Sequence, residues 1–202
     1  MLLKIVQAGE SVLRNQARKL SREELRSQEI RRLIEWMRET MRDAPGVGLA
    51  APQVGLPLQL AVIEDAADLQ RSIAPERLAE RGRRPVPFHV IANPSIELDG
   101  DVAEFFEGCL SVPGWTAIVP RAFSARVRCL DHEGEEATIQ ADGWYARILQ
   151  HEIDHLHGVL YLDRMDTRSM MTVEHLTRHW NDLPIAEVKL RLRVGEKPEP
   201  GQ

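Results

Sequence analysis

The stretch Gln150-His-Glu-Ile-Asp-His155 contains the pattern H-E-x-x-H. In an α-helix, residues four apart lie on the same face, so His151 and His155 can direct two imidazole nitrogens at one metal ion, with Glu152 beside them. The apolar residues before the first histidine contain no helix breaker, and Gly158 supplies a stop after the second. The stretch therefore predicts a helix that carries a metal site.

Two histidines do not complete a catalytic metal site, which usually has three protein ligands and an open position for water. The continuation found in metzincins fails, because Tyr161 occupies the place of the final histidine. A glutamate from a later helix, as in other metallopeptidases, could be Glu174. A thiolate, which is a strong ligand for iron, zinc or nickel, could come from Cys109 in Glu107-Gly-Cys-Leu-Ser111. These two alternatives remain open at this point.

The composition is that of one soluble globular domain with a real core, since 43% of the 202 residues are hydrophobic and 28% are charged. A net charge of -5 gives no general attraction to nucleic acid or anionic membrane. Neither a signal peptide nor a span long enough to cross a bilayer is expected. With Cys109 and Cys129 as the two cysteines, we expect a reduced, cytoplasmic protein, and Cys129 to be a small buried side chain.

Apolar periodicity predicts the first half of the fold. Apolar residues at helical spacing indicate a helix from about Gln28 to Arg42, with Ser27 as its N-cap. Leu58 to Glu64 reads as a strand. The segment from Asp65 to Pro87 is charged and weakly patterned, apart from a short helical turn near Pro75 to Arg81. We expect this segment to be a surface insertion, and no motif in it indicates a function.

Strands and turns dominate the next part. Phe88 to Leu98 predicts a strand, a turn at Asn93-Pro94 and a second strand. Asp131-His-Glu-Gly134 predicts a hairpin turn. Further strand patterns lie at Ala117 to Val119, Ala125 to Leu130 and Ala137 to Gln140.

The C-terminal part predicts a helix from Met170 to Trp180, in which His175 and His179 are again four residues apart. They lack an intervening acid and a third partner, so no second metal site is expected. Val188, Leu190, Leu192 and Val194 alternate with basic residues, which predicts a half-buried strand. Residues 196–202 are expected to be disordered.

Three motifs carry a resemblance to a known family. Gly46-Val-Gly-Leu-Ala-Ala-Pro-Gln53, Glu107-Gly-Cys-Leu-Ser111 and Gln150-His-Glu-Ile-Asp-His155, in this order, resemble the signature motifs of the peptide deformylases. All three match in full and together span the chain from Gly46 to His155. Gly143-Trp-Tyr-Ala-Arg147 further resembles the bacterial and mitochondrial type 1 subgroup.

The resemblance implies that Cys109, His151 and His155 bind one divalent metal, Fe(II) in the native protein with Ni, Co or Zn as possible substitutes. It also implies one catalytic domain over residues 1–195. We expect an α+β fold in which antiparallel strands partly wrap a central helix that carries both histidines. The rival enzyme is a zinc metallopeptidase that uses His151, His155 and Glu174, and the rival from another class is a non-catalytic metal-stabilised binding module.

The reaction implied by the resemblance removes the formyl group from N-formylmethionyl nascent peptides at the ribosome. Glu152 would transfer the proton, while the Gln53 amide and the Leu110 backbone N–H would stabilise the oxyanion. The methionine side chain and the peptide backbone are expected to contact residues from all three motif regions, namely Val47, Gly48, Glu107, Gly108, Ile148 and His151.

Two further expectations concern charges near the histidines. Asp154 lies within a helix that must pack against the sheet, and a buried carboxylate requires a cation, for which Arg121 is the candidate. Glu107 is likewise a candidate to orient His151 or the loop around Cys109.

Overall fold

In the computed structural model, which describes residues 1–71 and 73–195, the longest elements are two paired antiparallel strands. They are β3 (Val86–Cys109) and β4 (Val112–Leu130). The sheet runs in the order β1-β2-β3-β4-β5, all neighbours antiparallel, with β6 paired to β4. The other strands are β1 (Gly48–Ala50), β2 (Leu60–Asp65), β5 (Glu136–Asp142) and β6 (Met171–Thr172).

Strand β3 is continuous where the sequence predicted a turn. Its register against β4 shifts between Ala92 and Ser95, which is the mark of a β-bulge. Asn93 sits in that bulge with a φ of +50°, and its side chain accepts from the Leu20 N–H at 2.9 Å and donates to the Leu20 carbonyl at 2.8 Å. The prediction of a turn at Asn93-Pro94 is therefore wrong, because these residues bend a strand without ending it.

Two long helices cover the two faces of the sheet. Helix α2 (Gln28–Asp43) begins after Ser27, whose hydroxyl accepts from the Ile30 N–H at 3.2 Å, as predicted. Helix α5 (Gly143–Leu156) lies on the opposite face. The alternation along β2 shows this arrangement, since Leu60 and Val62 belong to the core beside α2, whereas Ala61 and Ile63 belong to the core beside α5. The remaining helices are α1 (Arg22–Arg26), α3 (Ala67–Gln70), α4 (Pro75–Glu80), α6 (Val173–His179) and α7 (Ile185–Leu192).

These elements confirm the predicted fold class, which is α+β with an antiparallel sheet around a central helix. The predicted hairpin turn lies between β4 and β5, and the strand patterns at Ala117 to Val119 and Ala125 to Leu130 belong to the single strand β4. The helical turn predicted near Pro75 is α4. Among the described residues, no helix is long and apolar enough to cross a membrane.

The C-terminal segment differs from its prediction. Residues Ile185–Leu192 form helix α7 and not a strand. Val188 is fully buried while Leu190 is 78% exposed, although a strand would place these two residues on one face. The strand prediction, which was based on the alternation of four apolar residues with basic ones, is therefore wrong. The predicted disordered tail, 196–202, lies outside the described residues.

Candidate active site

Helix α5 places the two histidines of the H-E-x-x-H pattern side by side. The helix spans Gly143–Leu156 and is followed by Gly158, whose φ of +74° lies in the left-handed region that favours glycine. The ring centroids of His151 and His155 are 4.9 Å apart. The helix therefore directs two imidazoles toward one point, as the spacing predicted.

Cys109 supplies the third donor of this cluster. It ends β3 at the tight connection to β4, and its Sγ lies 3.3 Å from His155 Nε2. The candidate ligand atoms of Cys109, His151 and His155 all lie within 4.8 Å of one another. Glu174, the alternative third ligand, is instead an exposed residue of α6 that accepts from Arg178 at 2.9 Å. The geometry thus favours Cys109.

The three donors fit a divalent metal ion. A thiolate with two imidazole nitrogens is a donor set for iron, zinc or nickel. The Nδ1 atom of His151 lies 3.1 Å from Glu107 Oε2, which leaves its Nε2 for an ion. Histidine ligands usually bind an outer carboxylate in this way, which fixes the ring orientation. Glu107 therefore orients His151, as predicted.

A network of charged residues, most of them buried, supports the cluster. Arg121 binds both carboxylate oxygens of Glu107 at 3.0 Å, and Arg147 donates to the same carboxylate at 2.5 Å. Arg121 also donates to Asp154 at 2.5 Å, which confirms the predicted pair, and Arg164 donates to Asp154 at 2.6 and 2.7 Å. Two carboxylates and three guanidiniums thus hold strands β3 and β4 against helix α5.

Burial and this network shift the proton affinities of the site. Burial raises the pKa of Glu107, but the hydrogen bond from His151 and the charge of Arg121 outweigh it and hold this pKa well below its usual range. Burial lowers the pKa of His151, but hydrogen bonds with Cys109 and Glu107 raise it well above its ordinary value. Burial, together with the charge of His151, lowers the pKa of His155 well below its ordinary value.

Glu152 lies beside the cluster in a different electrostatic environment. It is 3% exposed, and its Oε2 has no hydrogen-bond partner in the part of the chain that the structure describes. Burial raises the pKa of Glu152 to about 7, against the opposing charges of His151 and Arg121. A Cβ atom at Gly48 would lie 2.2 Å from Glu152 Oε1, so only glycine at that position leaves room for the acid. Glu152 can therefore both accept and return a proton near neutral pH.

Gln53 lies next to Cys109 in the cluster. Gln53 is 1% exposed and follows β1 in a short helical turn. Its Oε1 accepts from the Ala50 N–H at 2.9 Å, which turns its Nε2 toward Ser111 Oγ at 3.3 Å and Cys109 Sγ at 3.5 Å. The amide is thus held with its donor group next to the Cys109 thiol.

A groove of about 730 Å³ opens at the cluster. Its lining includes most of the residues predicted from the sequence, namely Val47, Gly48, Gly108, Cys109, Leu110, His151 and Glu152. Glu107 and Ile148, which were predicted to contact the substrate, are 6% and 4% exposed and do not line the groove. Ile148 packs in the core between α5 and the sheet.

The groove residues that the sequence did not single out include Arg83, Trp115 and Trp144. Trp144 follows Gly143 in a segment whose resemblance was noted, so a signal for it existed. Arg83 belongs to the segment that was interpreted as a surface insertion, and no pattern there indicated a position in this groove.

An α+β domain in which a helical H-E-x-x-H pair and a hairpin cysteine converge defines a class of metal-dependent hydrolases. A sequence model of the family described as "Polypeptide deformylase" matches residues 2–170. The chain belongs to this family, and it is a hydrolase that removes the N-terminal formyl group from nascent polypeptides.

Individual relatives agree with this assignment. Peptide deformylase 3 of Streptomyces avermitilis is 49% identical over 180 residues, which cover 89% of this chain and 78% of the relative. The mitochondrial peptide deformylase of Homo sapiens is 42% identical over 170 residues, which cover 84% of this chain and 70% of the relative. A class I type b peptide deformylase from Acinetobacter baumannii, solved with Met-Ala-Ser bound, superposes with a TM-score of 0.72 at 32% identity, over 82% of this chain and 99% of the neighbour.

Proposed function

We propose that residues 1–195 form a single catalytic domain in which Cys109, His151 and His155 bind one divalent metal ion. The observation that carries this proposal is the convergence of the three ligand atoms within 4.8 Å of one another. Fe(II) is the proposed native ion, with Ni, Co or Zn as substitutes, because the same donor set serves each of them. When bound, such an ion supplies Lewis-acid chemistry that lowers the pKa of water and polarises a carbonyl oxygen.

Glu152 is the proposed proton carrier. Its buried, unpartnered Oε2 is the atom that accepts a proton from the attacking water. The same oxygen then returns this proton to the departing amine nitrogen, so that the reaction yields formate and a free N-terminus. A carboxyl group whose pKa is near 7 suits both steps, because the proton is easily gained and easily lost.

Gln53 and Leu110 are the proposed donors to the oxyanion. The Gln53 Nε2 group is fixed by the bond of its Oε1 to Ala50, so the donor is oriented before substrate binds. The Leu110 backbone N–H belongs to the same turn as Cys109. Losing one donor of this kind typically costs about two to three orders of magnitude in rate.

The substrate lies, in this proposal, along the groove with the formyl group at the cluster. Val47, Gly48 and Gly108 line the groove and offer backbone groups to an extended peptide. Glu107 acts through His151 instead of touching the peptide, and Ile148 supports the pocket from the core. The Met-Ala-Ser peptide bound to the Acinetobacter baumannii neighbour, which begins with methionine, supports a methionyl product here.

The ribosome is the proposed site of action in the cytoplasm, because formylated N-termini emerge there.

The decisive measurement is formate release from a short formyl-Met peptide by anaerobically purified protein loaded with Fe(II) or Ni(II). Glu152→Ala should retain the metal and release formate about 10²–10⁴-fold more slowly, because the proton carrier is lost. Glu174→Ala is the matched control and should match the wild type. Wild-type protein that holds one metal but releases no formate would contradict the proposal, and so would a fully active Glu152→Ala variant.

A further inference from the structure

The segment Arg81-Gly-Arg83 crosses the first turn of helix α5. The proposed reaction does not use this segment. Gly143 begins that helix with a φ of +59°, and a Cβ atom there would lie 2.6 Å from the Arg81 carbonyl oxygen and 3.0 Å from the Gly82 Cα. The two backbones approach so closely that a side chain at position 143 would collide with the segment. The segment is therefore part of the active-site framework and not a loose surface loop.

A buried ion pair fixes the side chain of Arg83. Its Nε and Nη2 atoms donate to the two carboxylate oxygens of Asp65 at 2.8 and 2.9 Å. The Asp65 side chain is fully buried and that of Arg83 is 9% exposed. A bidentate pair of this kind specifies both the position and the plane of the guanidinium. Arg83 consequently has one defined place at the end of strand β2.

Trp144 joins this segment to the groove. The guanidinium carbon of Arg81 lies 5.1 Å from the centre of the Trp144 ring, and that of Arg83 lies 5.3 Å from it, both within the range of cation–π attraction. Arg83, Trp144 and Glu152 line the same groove. Since Trp144 precedes His151 by two helical turns, or about 10 Å of helix, the stacked pair lies along the helix from the metal cluster.

We propose that Arg83 is a specificity-determining residue, which with Trp144 closes the end of the groove that receives the side chain of the first peptide residue. This inference rests on the proposed function, which places the formyl group at the cluster. A side chain that extends from there along α5 runs toward the stacked indole and guanidinium. An unbranched thioether side chain fits in front of the stacked Arg83 and Trp144 side chains, which form the end wall of the groove. A longer or broader side chain collides with this end wall.

The test is a selectivity ratio measured on metal-loaded protein. The kcat/KM for a formyl-Phe peptide is divided by that for the matching formyl-Met peptide, for the wild type and for Arg83→Ala. Removing the wall should raise this ratio about tenfold, because pocket contacts the size of a methylene group change discrimination by about 10–200-fold. The change should appear mainly in KM.

Controls separate this role from a structural one. Because Arg83→Ala alone leaves Asp65 buried without its partner, the double variant Asp65→Asn/Arg83→Ala is measured as well. Arg84→Ala, an exposed neighbour, should keep the wild-type ratio. An unchanged ratio in a folded, metal-bound variant overturns the inference, as does a parallel loss of activity on both peptides. Absence of formate from the wild type would instead overturn the proposed function, and this inference with it.

Discussion

Two helices of this protein each carry a pair of histidines four residues apart, and the two pairs have similar ring separations. The ring centroids of His151 and His155 in α5 are 4.9 Å apart, and those of His175 and His179 in α6 are 4.6 Å apart. Helical spacing alone produces this proximity. A separation of about 5 Å therefore says little about function.

The surroundings of the two pairs differ completely. The first pair has Cys109 beside it and Glu107 behind it, and its members are mostly shielded from solvent. The second pair is exposed on a helix of seven residues, and the described chain provides no third ligand for it. A sheet-borne thiol and an orienting carboxylate, and not histidine spacing, are what distinguish the proposed metal site from the second pair.

Removing one histidine from each pair tests most directly whether only the first pair binds metal. His151→Ala should lose its bound metal and reduce formate release to background, because the site keeps only two donors. His175→Ala should change neither quantity, since its ring has no role in the cluster. Metal content by elemental analysis and formate release measure both variants. Substantial metal loss from His175→Ala would show that the second pair also binds an ion.

Replacing the orienting carboxylate tests how much Glu107 contributes to metal affinity. Glu107→Gln should weaken metal binding about 10–100-fold, because His151 loses the partner that fixes its ring. Glu104→Gln is a matched control on the same strand, where the side chain pairs with Lys189 in a more exposed position. Titration against a competing chelator gives both affinities. Equal affinities would mean that Glu107 serves only the arginine network.

The two cysteines also differ in their surroundings, and the surroundings of Cys129 predict a pH dependence of the free energy of unfolding. Within residues 1–71 and 73–195, Cys129 belongs to no cluster of candidate metal ligands. Burial, together with the charge of Asp131, raises the pKa of its thiol to about 11. The folded protein therefore holds this proton more tightly than the unfolded chain does. The Cys129 contribution to the free energy of unfolding should fall as the pH rises from about 9 to about 11.

Urea denaturation at intervals across this pH range measures that contribution. Cys129→Ala should lose this part of the pH dependence while keeping the remainder. Identical pH profiles for the variant and the wild type would contradict the assignment. In metal-loaded native protein below pH 9, Cys129 should also react slowly with a thiol reagent.

The smallest expected effect concerns the ion pair beside the second histidine pair. Glu174 and Arg178 are 78% and 66% exposed, and such pairs four residues apart on a helix contribute about 0.3–0.5 kcal/mol. Glu174→Gln should lower the free energy of unfolding by no more than this and should leave metal content unchanged. Loss of metal from this variant would revive the zinc metallopeptidase arrangement.

Most of the site could be predicted because its residues are adjacent in sequence or have unusual chemistry. The spacing of His151 and His155 fixes their geometry, and Cys109 was one of two cysteines available to complete it. The pairing of Asp154 with Arg121 followed from the cost of burying an unpaired carboxylate. Arg83 could not be predicted, because its role depends on contacts with Asp65 and Trp144 that are distant in sequence.

The errors in the fold have a common physical cause. Asn93-Pro94 is a turn signal by local preference, but pairing along the whole length of β4 keeps the chain extended and turns the signal into a bulge. Val188 to Val194 alternates like a strand, yet Glu187 and Arg191 pair across one helical turn, and Lys189 reaches Glu104 on β3. Tertiary partners outweighed local patterns in both places.

Gly48 has a consequence for how this site tolerates change. The space that a side chain at position 48 would fill is the space that Glu152 occupies. The two positions therefore constitute one steric unit, although they lie 104 positions apart in the sequence. In a saturation library, every substitution at Gly48 should impair activity as strongly as a substitution of Glu152 does, so a groove position without a side chain is among the least replaceable.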